Sequence, residues 1–189
     1  MQITIPNEII EKIKALPKPA LIAIGGFGGS GKSSLAAALQ KFLPSAAAAA
    51  VVVPIDDFIV KEKILDPWDK GAFDRTRLEE QVLKPLSEGR QAKYQALIWE
   101  TNTLSDFMEL PKADVVIVEG ISSYHPDIAH YYDLKIWVET PIAIAKERGR
   151  ARAGESENAK HWGLWARNDL AYKEQFHPEQ IADITFVNG

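Results

Sequence analysis

The 189-residue sequence predicts an α/β fold in which helices cover both faces of a parallel β-sheet. Short apolar runs alternate along the chain with segments in which apolar residues recur at helical spacing. Strands that are apolar along their whole length are typical of parallel sheets that are buried on both faces. The predicted strands cover residues 21–24, 51–55, 115–118, 134–138 and 184–187.

The helices are predicted from this spacing and from the residues at the segment ends. Asn7 is a candidate N-cap of the first helix, and Pro44 ends the second. Pro141 suits the first turn of the fourth helix. Residues 46–50 are a run of alanines, which we interpret as a turn without a function of its own. The predicted helices cover residues 7–16, 32–42, 75–88, 141–150 and 160–176, the third of them in spite of Pro85.

The composition is that of a single globular domain over residues 1–189. Hydrophobic residues make up 46% of the chain and charged residues 25%, as in ordinary globular proteins. The net charge is −4, whereas proteins that bind nucleic acids normally have a basic surface. Because there is no cysteine, disulfides, thiolate zinc sites and cysteine nucleophiles are excluded. No run of 18 apolar residues predicts a membrane span, and residues 1–16 lack the apolar core of a signal peptide. We therefore expect a cytoplasmic protein without nucleic-acid or membrane partners. Assembly into a homo-oligomer is compatible with the sequence.

A glycine-rich motif follows the first predicted strand and precedes a helix. It matches the pattern G-x-x-x-x-G-K-[ST]. Its residues are Gly26, Phe27, Gly28, Gly29, Ser30, Gly31, Lys32 and Ser33, with Ser34 next to them. Glycines let backbone N–H groups approach phosphate oxygens, and the helix directs its positive end at the same anion. Lys32 is expected to reach the β- and γ-phosphates, and the Ser33 hydroxyl to coordinate Mg²⁺. The motif predicts binding of ATP with Mg²⁺, although it leaves GTP open.

Two acidic residues follow predicted strands at the edge where ligands of α/β sheets bind. Asp56 follows the second strand and is the candidate base that accepts the proton of an acceptor hydroxyl. Glu119 ends the third strand and is the candidate holder of the magnesium ion, through a water molecule. These residues predict phosphoryl transfer to a small-molecule acceptor.

An arginine-rich segment follows the fourth strand and is a candidate lid over residues 148–160. Mobile guanidinium groups suit the charge that spreads over the γ-phosphoryl oxygens in the transition state. Arg148 and Arg152 are the candidate catalytic arginines, while Gly149 and Gly154 are expected to permit movement.

These motifs together resemble the uridine kinase and phosphoribulokinase family of P-loop kinases. The similarity covers most of the chain, including segments 24–33, 56–58, 68–74, 115–120 and 178–183. The resemblance implies a three-layer P-loop NTPase fold with a five-stranded parallel sheet and a lid, the use of ATP and Mg²⁺, and Asp56 as the base. Members of this family phosphorylate nucleosides, pantothenate, ribulose phosphate or similar alcohols.

The sequence departs from uridine kinases in the segment that is expected to form the acceptor site, at about residues 60–110. Trp99 and Thr101 stand where uridine kinases usually have a histidine and an arginine. The candidate acceptor contacts are Asp57, Asp69, Tyr94 and Trp99, with Asp69 suited to sugar hydroxyls.

Two other classes of function stay open at this point, and one is excluded. An ATPase or ATP-binding module would need no acceptor pocket. A nucleoside monophosphate kinase would use basic residues for the acceptor phosphate, and the insertion contains Lys61, Lys63, Lys70, Arg75 and Arg77. A GTPase-type switch is excluded because no Asn-Lys-x-Asp segment follows a strand.

Overall fold

The computed structural model describes residues 3–43 and 49–189. The predicted helix end at Pro44 and most of the predicted turn at 46–50 lie outside these residues. Within the two described ranges, no helix combines the length and the apolar character that crossing a bilayer requires.

The helices and strands are numbered in chain order. The helices are α1 (Asn7–Ala15), α2 (Lys32–Phe42), α3 (Arg75–Leu78), α4 (Lys84–Ser87), α5 (Ile142–Ala153), α6 (Trp162–Phe176) and α7 (Pro178–Ile181). The strands are β1 (Ala20–Gly26), β2 (Ala50–Pro54), β3 (Lys93–Tyr94), β4 (Leu97–Ile98), β5 (Thr103–Leu104), β6 (Met108–Glu109), β7 (Val115–Glu119), β8 (Leu134–Glu139) and β9 (Ile184–Val187).

The predicted five-stranded parallel sheet is confirmed, with the strand order β2-β7-β1-β8-β9. In the central register, Ile24 of β1 lies beside Glu119 of β7, and Pro54 of β2 lies on the other side of Glu119. All five strands therefore end at the same edge of the sheet. This edge brings together the glycine-rich motif of residues 26–33, called the phosphate loop below, the turn after β2 and the last residue of β7.

Alternation along the strands divides the apolar side chains between two cores. Ile22 and Ile24 pack on α1 and α2, in a core that also contains Leu35 and Leu39. Side chains of the opposite face, such as Val118, pack on α3, α5, α6 and the insertion. Both faces are covered, which explains why the central strand β1 is apolar along its whole length and β7 up to its last residue, Glu119.

The predicted helix over residues 75–88 is present, but it has an irregular centre. One π-helical turn at Glu79–Leu83 separates α3 from α4. Pro85 has no N–H, and its ring clashes with the carbonyl four residues earlier in a regular helix. The wider turn removes that conflict, as π-bulges commonly do where a helix is interrupted.

The insertion of about residues 60–110 contains two small antiparallel pairs that we did not predict. Strand β3 pairs with β6, and β4 pairs with β5. Each of these strands has two residues, which is too short for an alternating apolar pattern to be recognised.

Two glycines allow close packing against α5, Gly29 for the phosphate loop and Gly149 for α6. A side chain on Gly29 would place its Cβ 2.1 Å from the carbonyl oxygen of Ala145, and the Gly29 φ angle of +81° is itself unfavourable for other residues. Gly149 is buried in α5, where a Cβ would lie 2.2 Å from the Trp162 ring. We expected Gly149 to permit lid movement, and the structure places it in a packed helix interface.

Gly149→Ala is expected to lower the free energy of unfolding by about 1–3 kcal/mol, because the new methyl group overlaps the Trp162 ring. Gly163→Ala is the matched control, since that glycine also lies in a helix and its added Cβ has no neighbour within 4 Å. In the control, the free energy of unfolding is expected to rise by about 0.5–1 kcal/mol, because alanine has a higher helix propensity than glycine. Urea denaturation of both variants measures the difference. Equal effects at the two positions would contradict the packing argument.

Candidate active site

The phosphate loop connects β1 to α2 and is held in one conformation by backbone hydrogen bonds. The Ser30 N–H donates to the Phe27 carbonyl at 2.9 Å, and Gly29 and Gly31 both have left-handed φ angles, of +81° and +100°. Helix α2 begins at Lys32, so its N-terminal N–H groups follow directly from the loop. This arrangement can bind the terminal phosphates of a nucleotide.

The loop is anchored from the C-terminal end of the chain as well. The Ser30 carbonyl accepts hydrogen bonds from the Thr140 hydroxyl at 3.1 Å and from the Asn188 amide at 2.6 Å. Both donors follow strands of the main sheet, so the loop is fixed to the sheet edge on this side.

Glu119 lies at the centre of a cluster that also contains Lys32, Ser33 and Asp56. Burial raises the pKa of Glu119 above its usual range, while the charge of Lys32 and a hydrogen bond from the Ser33 hydroxyl act in the opposite direction. The negative charge of Asp56 contributes to the increase in the Glu119 pKa. Asp56 and Glu119, the acidic residues that the sequence places at the ends of two separate strands, therefore lie together beside the phosphate loop.

The chemistry of this cluster fits a magnesium ion. Mg²⁺ prefers oxygen ligands, keeps several waters, and is commonly held through one or two carboxylates together with substrate phosphates. The Ser33 hydroxyl and the Glu119 carboxylate supply such oxygens directly behind the loop, with Asp56 close by.

A cavity of about 530 Å³ opens beside the phosphate loop. Lys32, Asp56 and Gly28 line one side of it. Most of the remaining wall is aromatic and aliphatic, and it is formed by Ile59, Ile64, Trp68, Phe73, Trp99, Ile121, Trp162 and Trp165. A small molecule with an apolar or flat face would therefore lie next to Asp56.

The two candidate catalytic arginines point to different places. Arg152 lines the cavity, acts electrostatically on Glu119 and lies over the Trp162 ring at 6.0 Å. Arg148 instead donates to the Asn188 carbonyl at 2.9 Å, near the C-terminal anchor of the loop. The candidate lid consists of the end of α5 and a 3₁₀ turn at Glu157–Lys160.

Of the four predicted acceptor contacts, Trp99 lines the cavity, whereas Asp57, Asp69 and Tyr94 are not among its lining residues. Trp99 lines the cavity and is 39% exposed. The Tyr94 hydroxyl donates to the Asp57 carboxylate at 3.3 Å, and its ring stacks on Phe58, so these residues contact one another instead of the cavity wall. Asp69 pairs with Lys70 at 3.4 Å. The roles of all these side chains in acceptor binding stay predictions.

Sequence reasoning missed Asp169, a buried carboxylate that lines the cavity from α6. An acidic residue in the middle of a long helix normally faces solvent, and no motif marks this one. Trp162 and Trp165 of α6 also line the cavity, although tryptophans at helical spacing usually pack in a core. The only usable signal was the concentration of aromatic residues near one acidic position.

The fold and the site define the class of protein. The sheet order, the phosphate loop at the end of β1 and the acidic residues after β2 and β7 form a P-loop kinase fold. A solved structure of a candidate fructose transport system kinase from Silicibacter sp. TM1040 superimposes with a TM-score of 0.71. That structure is 25% identical in sequence, and the match covers 95% of this chain and 96% of the other.

Within that class, the chain is similar to uridine kinases. It is 27% identical over 131 residues to uridine kinase of Ureaplasma parvum serovar 3, covering 65% of this chain and 63% of that protein. It is 31% identical over 134 residues to uridine kinase of Streptococcus uberis, covering 65% and 62% respectively. The chain thus spans less than two thirds of the length of these two relatives. No family model matches it. The likenesses support a kinase-type function.

Tyr94→Phe is expected to lower the free energy of unfolding by about 1 kcal/mol, because the Asp57 carboxylate loses a hydrogen bond. Burial raises the pKa of Asp57 above 3.8, and the Tyr94 hydroxyl opposes that increase by stabilising the ionised form. The loss is therefore expected to be larger near pH 7 than at pH 3, because it shrinks as the pH falls through the raised pKa of Asp57 and the carboxylate is protonated. Denaturation at the two pH values tests this. A pH-independent loss would argue against the hydrogen bond.

Proposed function

We propose that this protein is an ATP-dependent kinase that transfers the γ-phosphoryl group to a hydroxyl of a small, uncharged molecule, such as a nucleoside or another polyol. The observation that carries the proposal is that Lys32 of the phosphate loop and Asp56 open into the same cavity. The cavity has a phosphate-binding side and an apolar side, as a bisubstrate site requires.

The reaction is a transfer between two oxygens. The acceptor hydroxyl oxygen forms a bond to the γ-phosphorus, and the bond from that phosphorus to the β–γ bridging oxygen breaks, so that ADP leaves. Asp56 accepts the hydroxyl proton as the new bond forms. A carboxylate in this place is well suited, because phosphoryl transfer needs orientation of the nucleophile more than strong basicity.

The remaining residues of the cluster stabilise charge. Lys32 would contact the β- and γ-phosphates, and Arg152, which lines the same cavity, would approach the transferring group. Ser33 and Glu119 would hold Mg²⁺, which when bound neutralises charge on the phosphate oxygens.

The charges around the insertion favour an uncharged acceptor over a nucleoside monophosphate. The basic residues that could bind an acceptor phosphate are largely engaged with other groups. Lys61 donates to the Trp99 carbonyl, Lys70 pairs with Asp69, Arg75 pairs with Asp127, and Arg77 pairs with Asp74. Among the described residues that line the cavity, the cationic side chains are Lys32 and Arg152, both of which the nucleotide phosphates would engage.

The cavity also favours a kinase over an ATPase or ATP-binding module that drives a partner. Trp68, Phe73 and Ile59 contribute an apolar wall to the cavity that Asp56 also lines. Such a wall is typical of a small-molecule site, in which apolar side chains surround a few convergent polar groups.

Asp56→Asn and Lys32→Ala are expected to fail at different steps. Asp56→Asn should bind Mg-ATP with nearly normal affinity and lose phosphoryl transfer by about 10²–10⁴-fold, because the proton acceptor is gone. Lys32→Ala should lose both binding and transfer. Calorimetric titration with Mg-ATP and a coupled ADP assay separate these effects.

Asp57→Asn is the matched control, with a loss of phosphoryl transfer below about tenfold expected because its carboxylate faces Tyr94. Transfer by Asp56→Asn at the wild-type rate would exclude Asp56 as the base.

A panel of alcohols is expected to reveal a preference by acceptor charge. Uridine, cytidine and free hexoses represent uncharged acceptors, whereas UMP and ribulose 5-phosphate represent phosphorylated ones. We expect kcat/KM for the best uncharged compound to exceed that for the best phosphorylated one by about tenfold or more, since a buried unpaired phosphate is costly. ADP release in the presence and absence of each compound is the measurement. Equal ADP release without any acceptor would indicate an ATPase.

A further inference from the structure

One buried carboxylate connects the phosphate loop to the wall of the acceptor cavity. Asp169 lies on α6 and is 3% exposed. Its Oδ2 accepts a hydrogen bond from the Gly28 backbone N–H at 2.7 Å, and its Oδ1 accepts one from the Trp68 indole Nε1–H, also at 2.7 Å. Gly28 belongs to the loop, whereas Trp68 belongs to the insertion, and both line the same cavity.

We propose that Asp169 is a positioning residue of this site, which holds the phosphate loop and the Trp68 wall at a fixed separation through one carboxylate. The proposal rests on the kinase function proposed above. It gives the buried acid a role in the relative placement of nucleotide and acceptor. Neither the motif of the loop nor the resemblance to uridine kinases assigns such a residue.

The contacts of α6 explain why this residue, and not its neighbours, makes the connection. Trp165 donates from its indole to the Ile64 carbonyl at 3.1 Å, and Asn168 donates to the Asp66 carbonyl at 2.9 Å. These two bonds fix the insertion to α6 alone. Among the hydrogen bonds described for these α6 side chains, only those of Asp169 also reach the phosphate loop.

The chemistry of the pair of bonds requires a carboxylate. Both partners are donors, and an ionised carboxylate offers an acceptor oxygen to each, while an amide offers one oxygen and a donating NH₂ group. Hydrogen bonds to an ionised group are short and strong, which agrees with the two distances of 2.7 Å. Burial raises the pKa of Asp169, and the Trp68 and Gly28 donors and the charge of Lys32 oppose that increase.

The space around Gly28 makes its position sensitive to this bond. A Cβ on Gly28 would lie 2.9 Å from the Trp162 ring and 3.5 Å from Asp169 Oδ2. The loop backbone is thus confined between α6 and the cavity. A shift of Asp169 transmits directly to the loop, and a shift of Trp68 reaches the loop through Asp169.

The test compares two tryptophan variants that lose the same kind of hydrogen bond. Trp68→Phe removes the donor to Asp169, while Trp165→Phe removes a donor to a backbone carbonyl in the same cavity and serves as the control. Hydrogen exchange of the peptide that contains Gly28 is measured by mass spectrometry on the free, full-length protein. We expect Trp68→Phe to speed this exchange about threefold and Asp169→Asn about tenfold, with the control at the wild-type rate.

A double-mutant comparison tests whether Trp68 acts on the phosphate loop through Asp169. Calorimetric titration with Mg-ADP is expected to show about threefold weaker binding for Trp68→Phe than for the wild type. The same tryptophan change made in Asp169→Asn should have no further effect, because its route to the loop is already broken. Trp165→Phe should act equally in both backgrounds.

The proposal is overturned if Trp68→Phe and Trp165→Phe change phosphate-loop exchange equally, since a purely structural role would affect both. It is also overturned if the effects of Trp68→Phe and Asp169→Asn on Mg-ADP affinity are additive. If Asp169→Asn does not fold, the exchange comparison of the two tryptophan variants decides alone. Neither measurement needs an acceptor, so failure of the wild-type protein to phosphorylate any alcohol would count against the proposed kinase function alone.

Discussion

The phosphate loop is held between three parts of the chain, and the rest of the site depends on this packing. Its ends continue into β1 and α2, α5 approaches it so closely that Gly29 has no room for a side chain, and Asn188 and Thr140 fix the Ser30 carbonyl. A loop that is rigid before the nucleotide arrives loses little conformational entropy on binding. Loop N–H groups other than those of Gly28 and Ser30, which already donate within the protein, can therefore bind phosphate oxygens at a small entropic cost.

One side of the cavity is charged and the other is apolar, and different parts of the fold position them. The charged side is formed by Lys32 at the start of α2 and by Asp56 after β2, with Glu119 at the end of β7 close to both. The side that we propose for the acceptor is mostly apolar and is formed by the insertion and α6, which the main sheet does not position. Hydrogen bonds between α6 and the insertion perform that task, and Asp169 extends them to the loop.

The strength of each sequence-based prediction follows from how local its cause is. The phosphate loop was predictable because all of its residues are adjacent, and Asp56 and Glu119 were predictable because parallel strands end at one edge. Tyr94 and Asp57 were assigned to the acceptor by their neighbourhood in the sequence, yet the structure places the Tyr94 hydroxyl on Asp57. Arg148 and Arg152 are four residues apart in the same helix, but one reaches Asn188 while the other lines the cavity.

The sequence by itself determined the five-stranded parallel sheet, the nucleotide-binding motif and the acidic residues beside it, because apolar periodicity and short motifs encode them locally. Only the tertiary structure decided which side chains form the wall of the cavity, since Trp68, Trp162 and Asp169 are separated by up to 101 residues along the chain. Their meeting depends on how α6 packs against the insertion. A buried acid with two donors is recognisable only when both donors are in place around it.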